Sequence, residues 1–136
     1  MSYEELEHTA DVRVRVKSFT LEGLFAEAAR VLMIVMYGKD IRPGTEERFI
    51  ALDAPDRVAL MQEFLSEILF RSEVDNLVFS SCEVSLTGLG LNARLIGEPF
   101  NPERHRSGME VKGISYSGLR IFKEAGECIL DIILDV

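Results

Sequence analysis

Two aspartates at the ends of apolar segments, Asp11 and Asp135, could bind a cation together. Asp11 precedes "VRVRVKS", and Asp135 closes the aliphatic run in "CILDIILDV". If these segments are neighbouring antiparallel strands, the start of the first meets the end of the second, and the carboxylates share one sheet edge. Two carboxylates, water and a main-chain oxygen or terminal carboxylate from Val136 suit a hard divalent cation, either Ca²⁺, Mg²⁺ or Mn²⁺.

Asp131 and His8 are less suited to such a site. Asp131 shares a strand face with Asp135, but four residues of strand separate the carboxylates by roughly 13 Å, too far to bind one ion. His8 lies on the opposite face from Asp11 in an extended chain, so only a bend brings them together. In the alternative interpretation, Asp131 and Asp135 are charges that guard an exposed strand, and Asp11 pairs with Arg13. Spacing alone favours this alternative.

Other motifs predict structure rather than chemistry. "GLGLNA" at 88–93 matches G-x-G-x-x-A, but a dinucleotide site needs a helix directly after the glycines. Here a strand, "LNARLI", follows, so we predict a hairpin turn. His105 lies among polar residues in "NPERHRSG" and is predicted to be a solvated loop histidine. Cys82 and Cys128 lie in apolar strand-like runs and are predicted to be buried, reduced thiols.

The hydrophobic pattern predicts strand, helix, strand, helix and then several strands. The first strand shows strict alternation of valine with basic residues: Val12, Arg13, Val14, Arg15, Val16, Lys17. "TLEGLFAEAARVLMIVMYG" predicts a helix with Thr20 as N-cap and Gly38 as its end. "RFIALD" is a short strand, "DAPDRVALMQEFLSEILFRSEV" a second helix with Pro55 in its first turn, and "KEAGE" a hairpin turn. We therefore expect an α+β fold over residues 1–136, with two helices packed on a largely antiparallel β-sheet in a single compact domain.

Composition narrows the class of partner. The 136 residues carry 15 Lys and Arg against 23 Asp and Glu, a net charge of −8. Because nucleic-acid binding depends on basic side chains that neutralise phosphates, this chain is poorly suited to gripping RNA or DNA by itself. It is better suited to docking on a basic protein or holding a cation. The longest apolar runs are too short to cross a bilayer, and no secretory signal precedes the first strand, so we expect a cytoplasmic protein.

Four motifs in order resemble the archease family over essentially the whole chain. They are "HTADVRVRV", "EFLSEILF", "GEPFNPERH" followed by "EVKGISYSGLRI", and the final "LDV". The resemblance implies a protein that is not itself an enzyme. Archeases are partners of the GTP-dependent RtcB-type RNA ligase, which joins RNA ends in tRNA splicing and repair. They promote guanylylation of the ligase and multiple turnover, and tRNA is reached only through the ligase.

The resemblance also implies a metal site. In the family this site is made by the aspartate of the HTAD motif and the C-terminal aspartate, here Asp11 and Asp135, with Val136 beside the latter. The resemblance and the spacing argument select the same two aspartates. We therefore now favour a cation site over the alternative without a metal, and this cation would lie near the GTP phosphates. Lys112 in "EVKGISY" matches a family motif and is predicted to contact the ligase or phosphates in its site, with a solvated strand lysine as the alternative.

Three residues depart from the family pattern. Archeases commonly have a histidine where this chain has Ser117, an aspartate where it has Asn101, and a bulkier residue where it has Gly113. Two other functions stay open. A stand-alone metal-dependent phosphohydrolase would need a base beside the ion, for which His8 is the candidate, and a metal-free interaction module would need none.

Overall fold

The computed structural model describes residues 1–6 and 11–136. Two helices lie among the strands: α1 (Leu21–Tyr37) and α2 (Arg57–Asp75). The strands are β1 (Ser2–Leu6), β2 (Val12–Ser18), β3 (Glu46–Asp53), β4 (Leu77–Thr87), β5 (Gly90–Pro99), β6 (Gly113–Ile114), β7 (Arg120–Glu124) and β8 (Glu127–Asp135). The predicted α+β class is confirmed.

The strands divide into two antiparallel sheets, a division that the hydrophobic pattern does not specify. In the five-stranded sheet the order is β1-β2-β8-β6, and β7 pairs with β8 further along the same side. In the three-stranded sheet the order is β3-β5-β4. Helix α1 contacts β2 of the first sheet and β4 of the second, so it joins the two sheets through one core.

Alternation and aromatic packing build this core. The valines of β2 are buried while Arg13 is exposed, as the period of two predicts. Between the helices, the rings of Phe25 and Phe64 meet edge to face with centroids 5.6 Å apart, and both side chains are fully buried.

The helix ends follow capping chemistry. The side chain of Thr20 accepts a hydrogen bond from the Gly23 N–H, and Gly38, at φ 88°, ends α1, both as predicted. At α2 the prediction for Pro55 is wrong. The carboxylate of Asp56 accepts from the Ala59 N–H and is the N-cap, so Pro55 precedes the helix. The free backbone N–H groups of the first turn need a side-chain hydrogen-bond acceptor. Aspartate has such an acceptor and proline does not.

Two tight turns confirm the hairpin predictions. In the β7–β8 hairpin Ala125 and Gly126 have φ of 52° and 81°, as a type I′ turn requires. Gly88, at φ 61°, lies in the turn from β4 to β5. Strand β5, rather than a helix, follows these glycines, so the dinucleotide motif is rejected.

The two cysteines differ in burial. Cys128 is buried as predicted, whereas Cys82 is half-buried, and desolvation raises the pKa of its thiol to about 12. Neither is in a disulfide. Within the part of the chain that the structure describes, no helix is long and apolar enough to cross a membrane.

The contact between the helices predicts a large loss of stability in one variant. Phe64→Ala should lower the free energy of unfolding by about 3 to 5 kcal/mol, because it removes a fully buried ring and leaves a cavity. Urea denaturation measures this. Phe70→Ala on the same helix is the matched control, since Phe70 is 59% exposed, and it should change stability by no more than about 0.5 kcal/mol. Equal losses in the two variants would contradict the packing described.

Candidate functional site

The pairing of β2 with β8 brings the two ends of the chain to one sheet edge. The register runs from Val12 opposite Leu134 to Ser18 opposite Cys128. Continuing it by one residue sets Asp11 opposite Asp135. Asp11 is half-buried immediately before β2, and Asp135 is exposed as the last residue of β8. The strands therefore have the antiparallel arrangement that the spacing argument requires.

The segment that enters β6 lies beside Asp135. The Lys112 N–H donates to the Asp135 carbonyl at 2.7 Å, and Gly113 is paired with Asp135 across the strands. A Cβ added at Gly113 would lie 3.5 Å from Asp135 Oδ2. Glycine therefore leaves the space beside this carboxylate open, where a larger residue would touch it. Lys112 is exposed, so its ammonium group can extend into solvent at the same edge.

This acidic edge, formed by Asp11, Asp135 and Val136, fits a hard cation by its donor chemistry. Carboxylate and main-chain oxygens are the ligands that Ca²⁺ and Mg²⁺ take, and Mg²⁺ usually keeps several waters. Within residues 1–6 and 11–136, no cluster of three or more His, Cys, Asp or Glu side chains has metal-binding geometry. A cation here would therefore need oxygens beyond the side chains, from Val136 or water. His8, the candidate base of a phosphohydrolase, lies outside the described residues.

Asp131 has a different role from Asp135. It accepts hydrogen bonds from Arg15 at 2.7 and 2.9 Å and from Arg120 at 2.9 Å. The hydrogen bonds from Arg15 first, and then the single bond from Arg120, lower the pKa of its carboxyl. Strand β8 is paired on both sides, so the interpretation of Asp131 as a guard of an exposed strand is wrong. It holds two arginines from neighbouring strands instead.

The prediction of a solvated loop histidine at position 105 is wrong. The His105 ring is buried, and it packs against Tyr37 and Phe100. Its Nδ1 accepts from the Asn101 N–H at 2.9 Å, and its Nε2 lies 3.2 Å from Glu98 Oε2. The polar residues near His105 in the sequence therefore form hydrogen bonds with its ring nitrogens, so the ring is buried rather than solvated.

Glu98 is the centre of this cluster and was missed by sequence reasoning. Its carboxylate accepts from the Arg42 backbone N–H at 2.7 Å and from the guanidinium of Arg104. The bond from Arg104 is the main reason that the pKa of Glu98 falls to about 2. The cluster anchors the segment that leads from β5 to Lys112. The sequence signal that could have indicated this cluster is the presence of Glu98, Arg104 and His105 within one short segment, "GEPFNPERH".

Asn101 has a structural role in the same segment. Its Oδ1 accepts from the Glu103 N–H at 2.9 Å, and its carbonyl accepts from the Arg104 and His105 N–H groups. Aspartate, which the family resemblance leads us to expect at this position, carries the same side-chain acceptor. The departure at Asn101 therefore preserves the turn.

A pocket of about 680 Å³ lies apart from the acidic edge. It opens where α1 and α2 begin, and its lining includes Phe19, Val58, Tyr116, Ile121 and Phe122. None of the predicted site residues lines it.

Comparison with known proteins gives matches along nearly the whole chain. The model of the Archease protein family (MTH1598/TM1083) matches residues 3–136. Protein archease of Methanopyrus kandleri is 35% identical over 100% of both chains, and that of Methanosarcina mazei is 32% identical over 98% of this chain and 95% of its own. The solution structure of Methanobacterium thermoautotrophicum protein 1598 has a TM-score of 0.84 at 28% identity and covers 98% of each chain. A Thermotoga maritima archease, described as a possible chaperone, shares the fold with a TM-score of 0.67 at 18% identity, over 98% of this chain and 96% of its own.

The lowered pKa of Glu98 predicts a pH dependence. The folded value of about 2 lies below the ordinary 4.5, so Glu98 stabilises the fold above pH 4.5 and this contribution is lost as the pH falls through about 2. The difference in unfolding free energy between wild type and Glu98→Gln should therefore be largest above pH 4.5 and shrink toward pH 2. Urea denaturation across this range measures it. Glu103→Gln, in the same segment but exposed, should show a small difference at every pH, and a constant difference for Glu98→Gln would contradict the cluster's role.

Proposed function

The chain belongs to the archease family, and we propose that it activates an RtcB-type, GTP-dependent RNA ligase. In this proposal it promotes guanylylation of the ligase and multiple turnover during tRNA splicing and RNA repair, without joining RNA itself. The observation that carries the proposal is the pairing of β2 with β8. This pairing sets the HTAD aspartate, Asp11, and the C-terminal Asp135 at one edge, with Lys112 hydrogen-bonded beside them.

The acidic edge is the part that enters the ligase's catalytic cleft. Asp135 is exposed at the end of a strand that is rigidly paired on both sides, so its carboxylate is presented at a defined position. Asp11 and Asp135 would hold a divalent cation with their carboxylates, and Val136 would add a main-chain oxygen or its terminal carboxylate. When bound, the cation offsets negative charge on phosphoryl oxygens during nucleotidyl transfer. Lys112 contacts the ligase or phosphates held in its site.

The charge balance supports docking of this kind. A net charge of −8 complements the basic surface that an RNA-binding enzyme presents to its substrate. Complementary fields of opposite sign mainly raise the association rate. We therefore expect association with the ligase to slow as ionic strength rises, because salt screens charges separated by more than about 8 Å at physiological ionic strength.

The acidic edge predicts a divalent-cation site that one substitution weakens. Asp135→Asn should lower the affinity for Ca²⁺, Mg²⁺ or Mn²⁺ at least about tenfold, since loss of even a supporting residue in a metal site has that effect. Isothermal titration of the purified chain with each chloride salt measures it. Asp53→Asn is the matched control, because Asp53 is also an exposed aspartate at the last position of a strand, but in the other sheet. Equal affinities in wild type and Asp135→Asn would place the cation elsewhere, and the absence of binding would favour a metal-free module.

Ligase activation is tested by GTP-dependent guanylylation of the cognate ligase with and without this protein. Wild type should stimulate the reaction, and Asp11→Ala should abolish the stimulation, because it removes one of the two carboxylates of the acidic edge. A cooperative urea transition checks that the variant is folded. Asp53→Ala serves as the control and should stimulate like wild type. If Asp11→Ala still stimulates guanylylation, the ligase remains the proposed partner, but the proposed role of the acidic edge is wrong. Failure of wild type to stimulate would overturn the proposed function.

A further inference from the structure

Three arginines converge on a pocket of about 350 Å³ on the outer face of the five-stranded sheet. Arg13 and Arg15 come from β2, and Arg120 comes from β7. Gly118, Asp131, Ile132 and Ile133 complete the lining. This arginine pocket lies on the face opposite the helices, where an apolar core is not required. The sequence shows no cluster here, because the three arginines come from opposite ends of the chain.

Asp131 and Phe122 hold two of these guanidinium groups in place. Arg15, Asp131 and Arg120 form one row across three paired strands. Arg15 donates through Nε and Nη2, and Arg120 through Nη2. The Phe122 ring lies 4.7 Å from the Arg120 guanidinium and 5.8 Å from that of Arg15. A guanidinium carries five N–H donors, so the bonds to Asp131 leave donors on both arginines for a ligand.

The charge and shape of the pocket suit an anion. Its lining carries three guanidinium groups and one carboxylate, a local excess of positive charge in a chain of net charge −8. Beyond the lining, two acidic residues interact electrostatically with Arg15, Glu4 opposite it on β1 and Glu124 at the end of β7. Lys17 follows Arg15 on the same face of β2. Gly118, at φ 79°, leaves the Ile133 side chain uncovered, since a Cβ there would come within 3.1 Å of it. An oxyanion above Ile133 would therefore lie beside Arg13, which is paired with Ile133, and two strand positions from the row of Arg15 and Arg120.

We propose that the arginine pocket binds a phosphate group. The guanidinium fork matches phosphate oxygens in a bidentate manner, and groups that are already positioned lose little side-chain freedom on binding. The identity of the phosphate rests on the proposed function: it belongs to the RNA strand or to the GTP that the ligase holds. The pocket is close enough to the acidic edge for this, because its lining residues Arg13 and Ile133 lie two strand positions, roughly 7 Å, from Asp11 and Asp135.

Amide chemical shifts of the full chain test the site directly. The probes are inorganic phosphate, GTP, and a short RNA with either a 3′-phosphate or a 3′-hydroxyl. Each phosphate-bearing probe should shift the amides of Arg13, Gly118 and Arg120. Arg13→Gln combined with Arg120→Gln should weaken binding at least tenfold, and both residues are exposed, so the fold is kept. Arg106→Gln, an exposed arginine in the segment before β6, should stay within twofold of wild type.

The outcomes distinguish between the two sources of phosphate. They also test the arginine pocket independently of the proposed ligase activation. Tighter binding of GTP supports the nucleotide as the source, and tighter binding of the 3′-phosphorylated RNA supports the strand end. Equal binding by wild type and the double variant, or no shift of these amides with any of the phosphate-bearing probes, would overturn the proposal of a phosphate-binding pocket. The titration contains no ligase, so a wild-type protein that binds phosphate but fails to stimulate guanylylation would overturn the proposed function alone.

Discussion

The antiparallel pairing of β2 with β8 is the contact on which the rest of the structure depends. It joins the first and last parts of the chain in the middle of the five-stranded sheet and buries the valines of β2 beside Leu130 and Ile132 of β8. Full burial of such a side chain contributes about 1.5 to 3 kcal/mol, whereas an exposed ion pair contributes at most about 1 kcal/mol. Burial therefore stabilises the pair, and the Arg15–Asp131 bonds specify its register. A slip of one residue would turn the valines outward, part Arg15 from Asp131 and separate Asp11 from Asp135.

Features that depend on neighbouring residues could be predicted from the sequence. Alternation in β2, the cap at Thr20 and the hairpin turn in "KEAGE" each arise within a few residues, and each is found as predicted. The start of α2 was misplaced because Pro55 and Asp56 are both start signals, and the side-chain acceptor decided between them. Strand β1, "SYEEL", was missed because its residues lack an apolar alternation, and its pairing with β2 makes it a strand.

Features that depend on residues distant in the chain could not be predicted. The burial of His105 needs Glu98 and the ring of Tyr37 in α1 to satisfy and cover it. By composition alone, the polar segment that contains this histidine cannot be distinguished from a solvated loop. Its burial follows only from partners that are distant in the sequence. The same holds for Asp131, whose two guanidinium partners lie on different strands. At the acidic edge, spacing alone did not favour a cation, and the family resemblance reversed that preference.

Net charge describes the whole chain and not its parts. The value of −8 argued against direct contact with nucleic acid, yet the face that ends in Asp135 also carries the arginine pocket. The nearest pocket residues, Arg13 and Ile133, lie two strand positions, roughly 7 Å, from Asp11 and Asp135. This separation is within the Debye length of about 8 Å at physiological salt, so the two fields interact even in water. Docking into an enzyme cleft removes water and strengthens both fields. In the proposed complex, a phosphate in the pocket and the carboxylates at the edge would repel each other, and a cation between them would remove that repulsion. The two proposals, an anion-binding pocket and a cation-binding edge, therefore have a physical reason to share one sheet face.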